Sequence, residues 1–235
     1  MNFCKYVFLI AIIGCAKSNF LAAQTDKATF GIMPTLNVTI QPMTPLTLSF
    51  FAYDISATQN KINSDGTDFR NKQLYTELAA IYDFNAHWSG VLAYAFQRDY
   101  PLGDEHINEH RLFQEIIRKD QVGGGTLRNR LRIEERFIEN RLTKTYPYST
   151  RLRYLLGYVV PLADGKCFLS VYNDIFLGAQ PKSDPLWNEN WAYLGVGIKI
   201  GKGIVEPGVL WQNYAIGNNL RHNQWLFELT YTLNL

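Results

Sequence analysis

The segment 223–235 constrains the fold more than any other part of the chain. Trp225, Phe227, Leu229, Tyr231, Leu233 and Leu235 are apolar or aromatic, and Gln224, Leu226, Glu228, Thr230, Thr232 and Asn234 lie between them. Side chains on a strand point alternately to the two faces of a sheet, so this segment has one greasy face and one mostly polar face. The same alternation recurs in Phe30, Ile32, Leu36, Val38 and Ile40, in Leu152, Tyr154, Leu156, Tyr158 and Val160, and in Ala192, Leu194, Val196, Ile198 and Ile200. Turn signals separate the segments.

Eleven segments read as strands, at about 28–41, 46–57, 71–84, 88–99, 106–118, 126–138, 150–161, 167–178, 190–201, 203–215 and 223–235. The connections alternate in length. Short turns fall at 42–45, 84–87, 162–166 and 201–203, an intermediate one at 119–125, and longer loops at 58–70, 100–105, 139–149, 179–189 and 216–222. Short turns on one side and long loops on the other are the habit of outer-membrane barrels, which in bacteria have an even number of strands. The expectation is therefore an all-β, antiparallel transmembrane β-barrel of 12 strands, with 10 as the alternative. The count is weakest at the N-terminal segment, where Pro34 interrupts the pattern.

Composition agrees with a barrel. The chain is 47% hydrophobic and 14% aromatic but only 19% charged, against about 25% charged in soluble domains. Beyond the N-terminus no run of about 18 apolar residues occurs, which excludes spanning helices. A soluble β-sandwich would also alternate. Three features weigh against it: an export signal, segments longer than the usual five or six residues, and Tyr and Trp clustered near strand ends.

Residues 1–23 read as that signal. Lys5 precedes a short apolar core, Tyr6 to Gly14, and Leu21-Ala22-Ala23 supplies a cleavage site. The less favoured alternative is a lipoprotein box, Ile12-Ile13-Gly14-Cys15, with lipid on Cys15. Residues 24–235 then form a single barrel domain. Removing 1–23 takes Lys5 and Lys17 and no acid, leaving 21 basic and 21 acidic residues. A balanced chain lacks the basic surplus of a nucleic-acid binder. Cys4 and Cys15 leave as well, so Cys167 stands alone and no disulfide framework is expected.

Chemistry concentrates in 126–138, where Arg128, Arg130, Arg132, Glu134 and Arg136 share one face. Facing lipid, each arginine would cost roughly 2–4 kcal/mol near the midplane, so the row must face the lumen. The same phase adds Glu109, Arg111 and Glu115 from the preceding strand and Arg151 and Arg153 from the following one. Glu77, Asp174, Glu206 and Glu228 are further inward acids. The inward set holds seven arginines and seven acids. It reads first as an ion-pair ladder filling the barrel, since like charges in a narrow lumen need partners. The competing reading is a polar pathway or a site for an anionic or zwitterionic ligand, because Arg suits bidentate capture of carboxylate or phosphate.

Other motifs carry less. His106-Ile-Asn-Glu109-His110 spells H-x-x-E-H, but on a strand its two histidines lie roughly 13 Å apart, too far to share zinc. Ser170 and His222 could be a hydrolase pair, with no local signature joining them. Gly195-Val196-Gly197 reads as a strand with small inward residues, and Gly123-Gly124-Gly125 as a hairpin turn. No catalytic residue, metal or cofactor is assigned. The expected function is a non-enzymatic barrel: a narrow channel, small-solute binder or structural envelope protein. The alternative is a membrane-embedded lipid hydrolase or acyltransferase. Expected partners are outer-membrane lipids, the outer-membrane assembly machinery through the C-terminal strand, and a small polar or charged solute.

Four motifs occur in order: Glu109-His110-Arg111, then Arg128 to Arg136 as R-x-R-x-R-x-E-x-R, then Arg151-Leu152-Arg153-Tyr154, then Asn173-Asp174-Ile175-Phe176. In this the chain resembles, over roughly 28–235, the bacterial outer-membrane family catalogued as domain of unknown function 2490. Asp174 stands where that family more often has Glu. The resemblance implies a barrel in the outer membrane and no established activity.

Overall fold

The computed structural model describes residues 24–25, 28–60, 67–102, 105–162, 165–178, 187–217 and 220–235. The expected signal at 1–23, with Cys15 and the cleavage site at Ala23, lies outside the described residues. Eleven long strands form a closed barrel: β2 (Thr29–Met43), β3 (Leu46–Asn60), β4 (Thr67–Asp83), β5 (Trp88–Asp99), β6 (Ile107–Val122), β7 (Gly125–Ile138), β8 (Tyr148–Leu162), β9 (Cys167–Gly178), β10 (Trp187–Ile200), β11 (Gly203–Gly217) and β12 (Leu220–Asn234). A two-residue strand, β1 (Gln24–Thr25), precedes them.

Each long strand pairs antiparallel with its neighbour in sequence. The ring closes differently. β12 runs parallel to β2, with Trp225 beside Phe30 and Tyr231 beside Leu36. β1 prolongs this seam, Gln24 lying beside Leu220. The expected counts of 12 or 10 are thus corrected to eleven barrel strands, and the all-antiparallel expectation to a mostly antiparallel ring. The physical reason is directional. In an up-and-down chain the first and eleventh strands point the same way, so they can close only as a parallel pair, and the even-number rule no longer applies. Pro34 does not break β2. It lies opposite Leu229 across the seam, and the β2–β3 register skips Met33 and Pro34, so its missing N–H interrupts the pairing only locally.

Five connections of two to four residues fall at one rim. At one of the two-residue turns, β6 and β7 are joined by Gly123 and Gly124, whose φ values are 57° and 84°. Two successive residues with positive φ define the twisted hairpin turn that glycine favours. At the other rim β11 and β12 run to Gly217 and from Leu220, through much of the expected 216–222 loop.

Alternation sorts the side chains as the sequence pattern requires. Phe113, Phe176, Leu210 and Leu226 are buried inside. The outer face is apolar. Large hydrophobic side chains stand exposed on ten of the eleven barrel strands, among them Phe30, Leu78, Leu92, Ile116, Leu194 and Phe227. Asp54 is an outward-phased charge midway along β3, held by Ser56 and Asn71, and others sit toward the strand ends. Arg118 is one of them, pairing with Asp120 and lying over the Trp88 ring at 5.4 Å.

Candidate functional site

The lumen has two unlike walls. The first is built by β6–β9 with one residue from β4. Direct antiparallel neighbours bring the arginines and acids into register: Arg111 lies opposite Arg136, Glu115 opposite Arg132, and Glu134 opposite Arg151. Glu134, with no solvent exposure, is the centre of this wall. It accepts Arg151 Nε at 2.6 Å, Arg153 Nη1 at 3.1 Å and Arg132 Nη1 at 3.4 Å, and Arg111 Nη1 lies 3.7 Å away. Asp174 Oδ2 accepts Arg130 Nη2 at 2.6 Å and Arg153 Nη2 at 2.5 Å. Glu109 takes Arg136 in a fork at 2.7 and 2.8 Å and Arg111 at 2.7 and 2.9 Å. Glu115 accepts Arg132 Nε and has Arg130 Nη1 at 3.7 Å. Glu77 lies 3.8 Å from Arg132 and accepts the Tyr75 hydroxyl at 2.6 Å.

Aromatic rings complete this wall. The Arg132 guanidinium lies 3.8 Å from the centre of the Phe113 ring, and Arg153 lies 4.0 Å from that of Phe176. A guanidinium packed on a ring face keeps a favourable contact where water is excluded. The sequence reading assigned no role to Phe113 or Phe176. Their inward phase beside arginines was the signal for it.

The second wall, from β10–β12 and β2, is different. Leu210, Leu226, Met33 and Tyr193 are buried there with Gln212, Gln224, His222 and Thr29. Glu206 and Glu228, expected among the ladder acids, lie on this wall. Glu206 accepts the Tyr193 hydroxyl at 3.0 Å, and Glu228 accepts the Thr230 hydroxyl at 2.8 Å. Among the described residues neither touches an arginine or lysine. Tyr193 lies over two glycines: a Cβ on Gly195 would fall 2.1 Å from its hydroxyl oxygen, and one on Gly208 2.4 Å. The inward glycines are thus space for a ring, which stacks on Tyr172 at 4.9 Å.

Between the walls lies a cavity of about 930 Å³, lined by residues from Thr39 and Ser49 near the short turns to Lys72 and Tyr100 near the long loops. Arg128 lines it too and has no carboxylate in contact among the described residues. At the long-loop rim, outside the strands, Lys144 Nζ donates to Glu139 at 3.1 Å and the Asn108 backbone N–H at 3.2 Å. These donors hold the Glu139 carboxyl below its ordinary value.

The remaining motifs separate in space. His110 points outward to the Tyr94 hydroxyl at 2.6 Å, while Glu109 points into the lumen. All of H-x-x-E-H except His106 therefore lies on β6, where Glu109 and His110 split across its two faces. Among the described residues no group of three or more His, Cys, Asp or Glu is placed to hold a metal. Ser170 lies in the row of Gly195, Gly208 and Glu228. His222 is six residues along β12 from Glu228, about 20 Å by strand rise, and contacts Thr29. No nucleophile–base pair forms between them.

Fold and lumen together define a closed β-barrel filled by buried Arg–carboxylate pairs. The chain belongs to the family described as protein of unknown function (DUF2490), whose model matches residues 36–223. No curated protein and no solved structure matches it.

Proposed function

We propose that this protein is a non-enzymatic β-barrel of the bacterial outer membrane, whose narrow, charge-paired lumen admits or holds small polar solutes. The observation that carries this is the inversion of the molecule: apolar side chains ring the outside while arginines and acids are buried inside. Water-soluble monomers rarely expose apolar patches beyond a few hundred Å². Strands of 12 to 17 residues also exceed the roughly 9–11 that cross a bilayer. Outer-membrane lipids would cover the belt, and the assembly machinery would engage the exposed apolar row of β12.

Fractionation and heat-modifiable gel mobility test the location. Recovery as a soluble monomer without detergent would overturn it. Planar-bilayer recording tests the lumen. The wild-type barrel is expected to conduct poorly, because the ladder narrows it. Replacing Arg130 and Arg132 together by alanine removes both arginines that contact Glu115. That variant is expected to open a wider path with raised cation conductance. A large, stable wild-type conductance would overturn the narrow lumen.

A further inference from the structure

The arginine wall is not neutral. Among the described residues its seven arginines (111, 128, 130, 132, 136, 151 and 153) meet six acids, Glu77, Glu109, Glu115, Glu134, Asp174 and, from β10, Glu189, while Glu206 and Glu228 touch none of them. The surplus gathers toward the short-turn rim. Arg128 lies beyond the last acids, Glu115 and Asp174, which act on it only through space and are each already held by two other arginines. Its Nε is shut off from solvent and has no hydrogen-bond partner, as does that of Arg130. Directly across on β6 stands Lys119, a second lumen-phased cation on the same cavity. On β8 the facing residue is Gly157, which places no side chain in between. Past Glu115 and Asp174 toward that rim, the lumen face of β6–β9 carries Ile117, Lys119, Thr126, Val159 and Ser170, and none of these is an acid.

A shielded guanidinium with an unused donor calls for an acceptor, and a nearby ammonium favours one that is charged. We propose that Arg128 and Lys119, with the free Nε of Arg130, form a binding site for the oxyanion of a small soluble solute, a phosphate or carboxylate group, inside the barrel. This rests on the lumen being open to small solutes, as argued above. A soluble source is favoured over a lipid headgroup because the site faces the cavity and not the outer belt.

The test is calorimetric titration of the purified full-length protein in detergent with inorganic phosphate, succinate or short-chain phosphatidylglycerol. Arg128→Gln and Lys119→Gln are compared with wild type, and all three are checked for heat-modifiable mobility. Phosphate or succinate is expected to bind at millimolar concentration or below. Arg128→Gln should weaken this at least tenfold and Lys119→Gln severalfold, with folding unchanged. Equal affinity in wild type and Arg128→Gln, or no binding of either soluble anion to the folded barrel, would overturn the site. Binding of phosphatidylglycerol alone would overturn the soluble source. Should Arg128→Gln fail to fold, Arg128→Lys keeps the charge but loses the fork, and undiminished phosphate affinity in that variant would count against the site. Recovery of the chain as a soluble monomer would defeat the membrane reading while leaving the titration interpretable.

Discussion

The two walls of the lumen solve one packing problem with opposite chemistry. On β6–β9, long charged side chains fill the space, and nearly every carboxylate there is shared by two or more arginines. On β10–β12 and β2, glycines, leucines and tyrosine rings fill most of it, and Glu206 and Glu228 are held by hydroxyls. A barrel of eleven strands is wider than the eight-stranded case that ordinary side chains just fill. Long arginines can bridge the extra width, whereas the other wall lays Tyr193 flat over its glycines. The difference teaches where damage should be severe. A shared carboxylate neutralises several buried charges at once, while a ring over glycine is held mainly by fit.

Removing the most shared acid should break this contrast hardest. Glu134→Gln leaves Arg111, Arg132, Arg151 and Arg153 short of a counter-charge. Removing one partner of a buried pair costs about 3–5 kcal/mol. A lower temperature for the heat-modifiable gel shift would register the loss, and an unshifted transition would show that lumen water compensates these arginines. Next comes the outside. Phe227, midway along β12 and 53% exposed, becomes Arg in Phe227→Arg. In a bilayer that should cost about 2–4 kcal/mol, and in a soluble protein less than about 0.5 kcal/mol. Urea titration of the protein refolded into lipid vesicles separates the two.

The tyrosine wall should respond more mildly. Gly195→Ala presses a methyl group into the Tyr193 ring, and overpacking typically costs about 1–3 kcal/mol. The same gel shift measures it, and a larger loss than in Glu134→Gln would invert the comparison. The smallest effect lies at the rim. Because Glu139 titrates below its ordinary value when folded, its contribution is complete above the ordinary carboxylate value and is lost as pH falls through the depressed one. The protection factor of the Asn108 amide, which donates to Glu139, should fall over that acid range and stay flat above it once intrinsic exchange is divided out.

Much of this was legible in the residues. Alternation placed all seven arginines and seven acids of the expected set inside, because a strand reverses its side chains at every residue. Neighbouring strands in a meander pair with each other, so Glu115 meeting Arg132 and Glu134 meeting Arg151 followed from phase and turn positions. Glu206 and Glu228 were not legible as ladder outsiders. They have the correct phase, and only the curvature of the ring carries them away from the arginines. The stacking of Arg132 on Phe113 and of Arg153 on Phe176 was likewise hidden, since it depends on rotamers reaching across strands.

Sequence alone determined which face of each strand is apolar, where the short turns of one rim fall, and that the arginine row points inward. All of these depend on neighbours one or two residues apart. Tertiary structure decided what depends on closure: that eleven strands close through a parallel β12–β2 seam, which acids share which arginines, and that Arg128 is left without a carboxylate in contact. Closure joins residues nearly two hundred positions apart, such as Thr29 and Gln224. A local alternation with a period of two residues carries no information about which distant strand it will meet, or in which direction that strand will run.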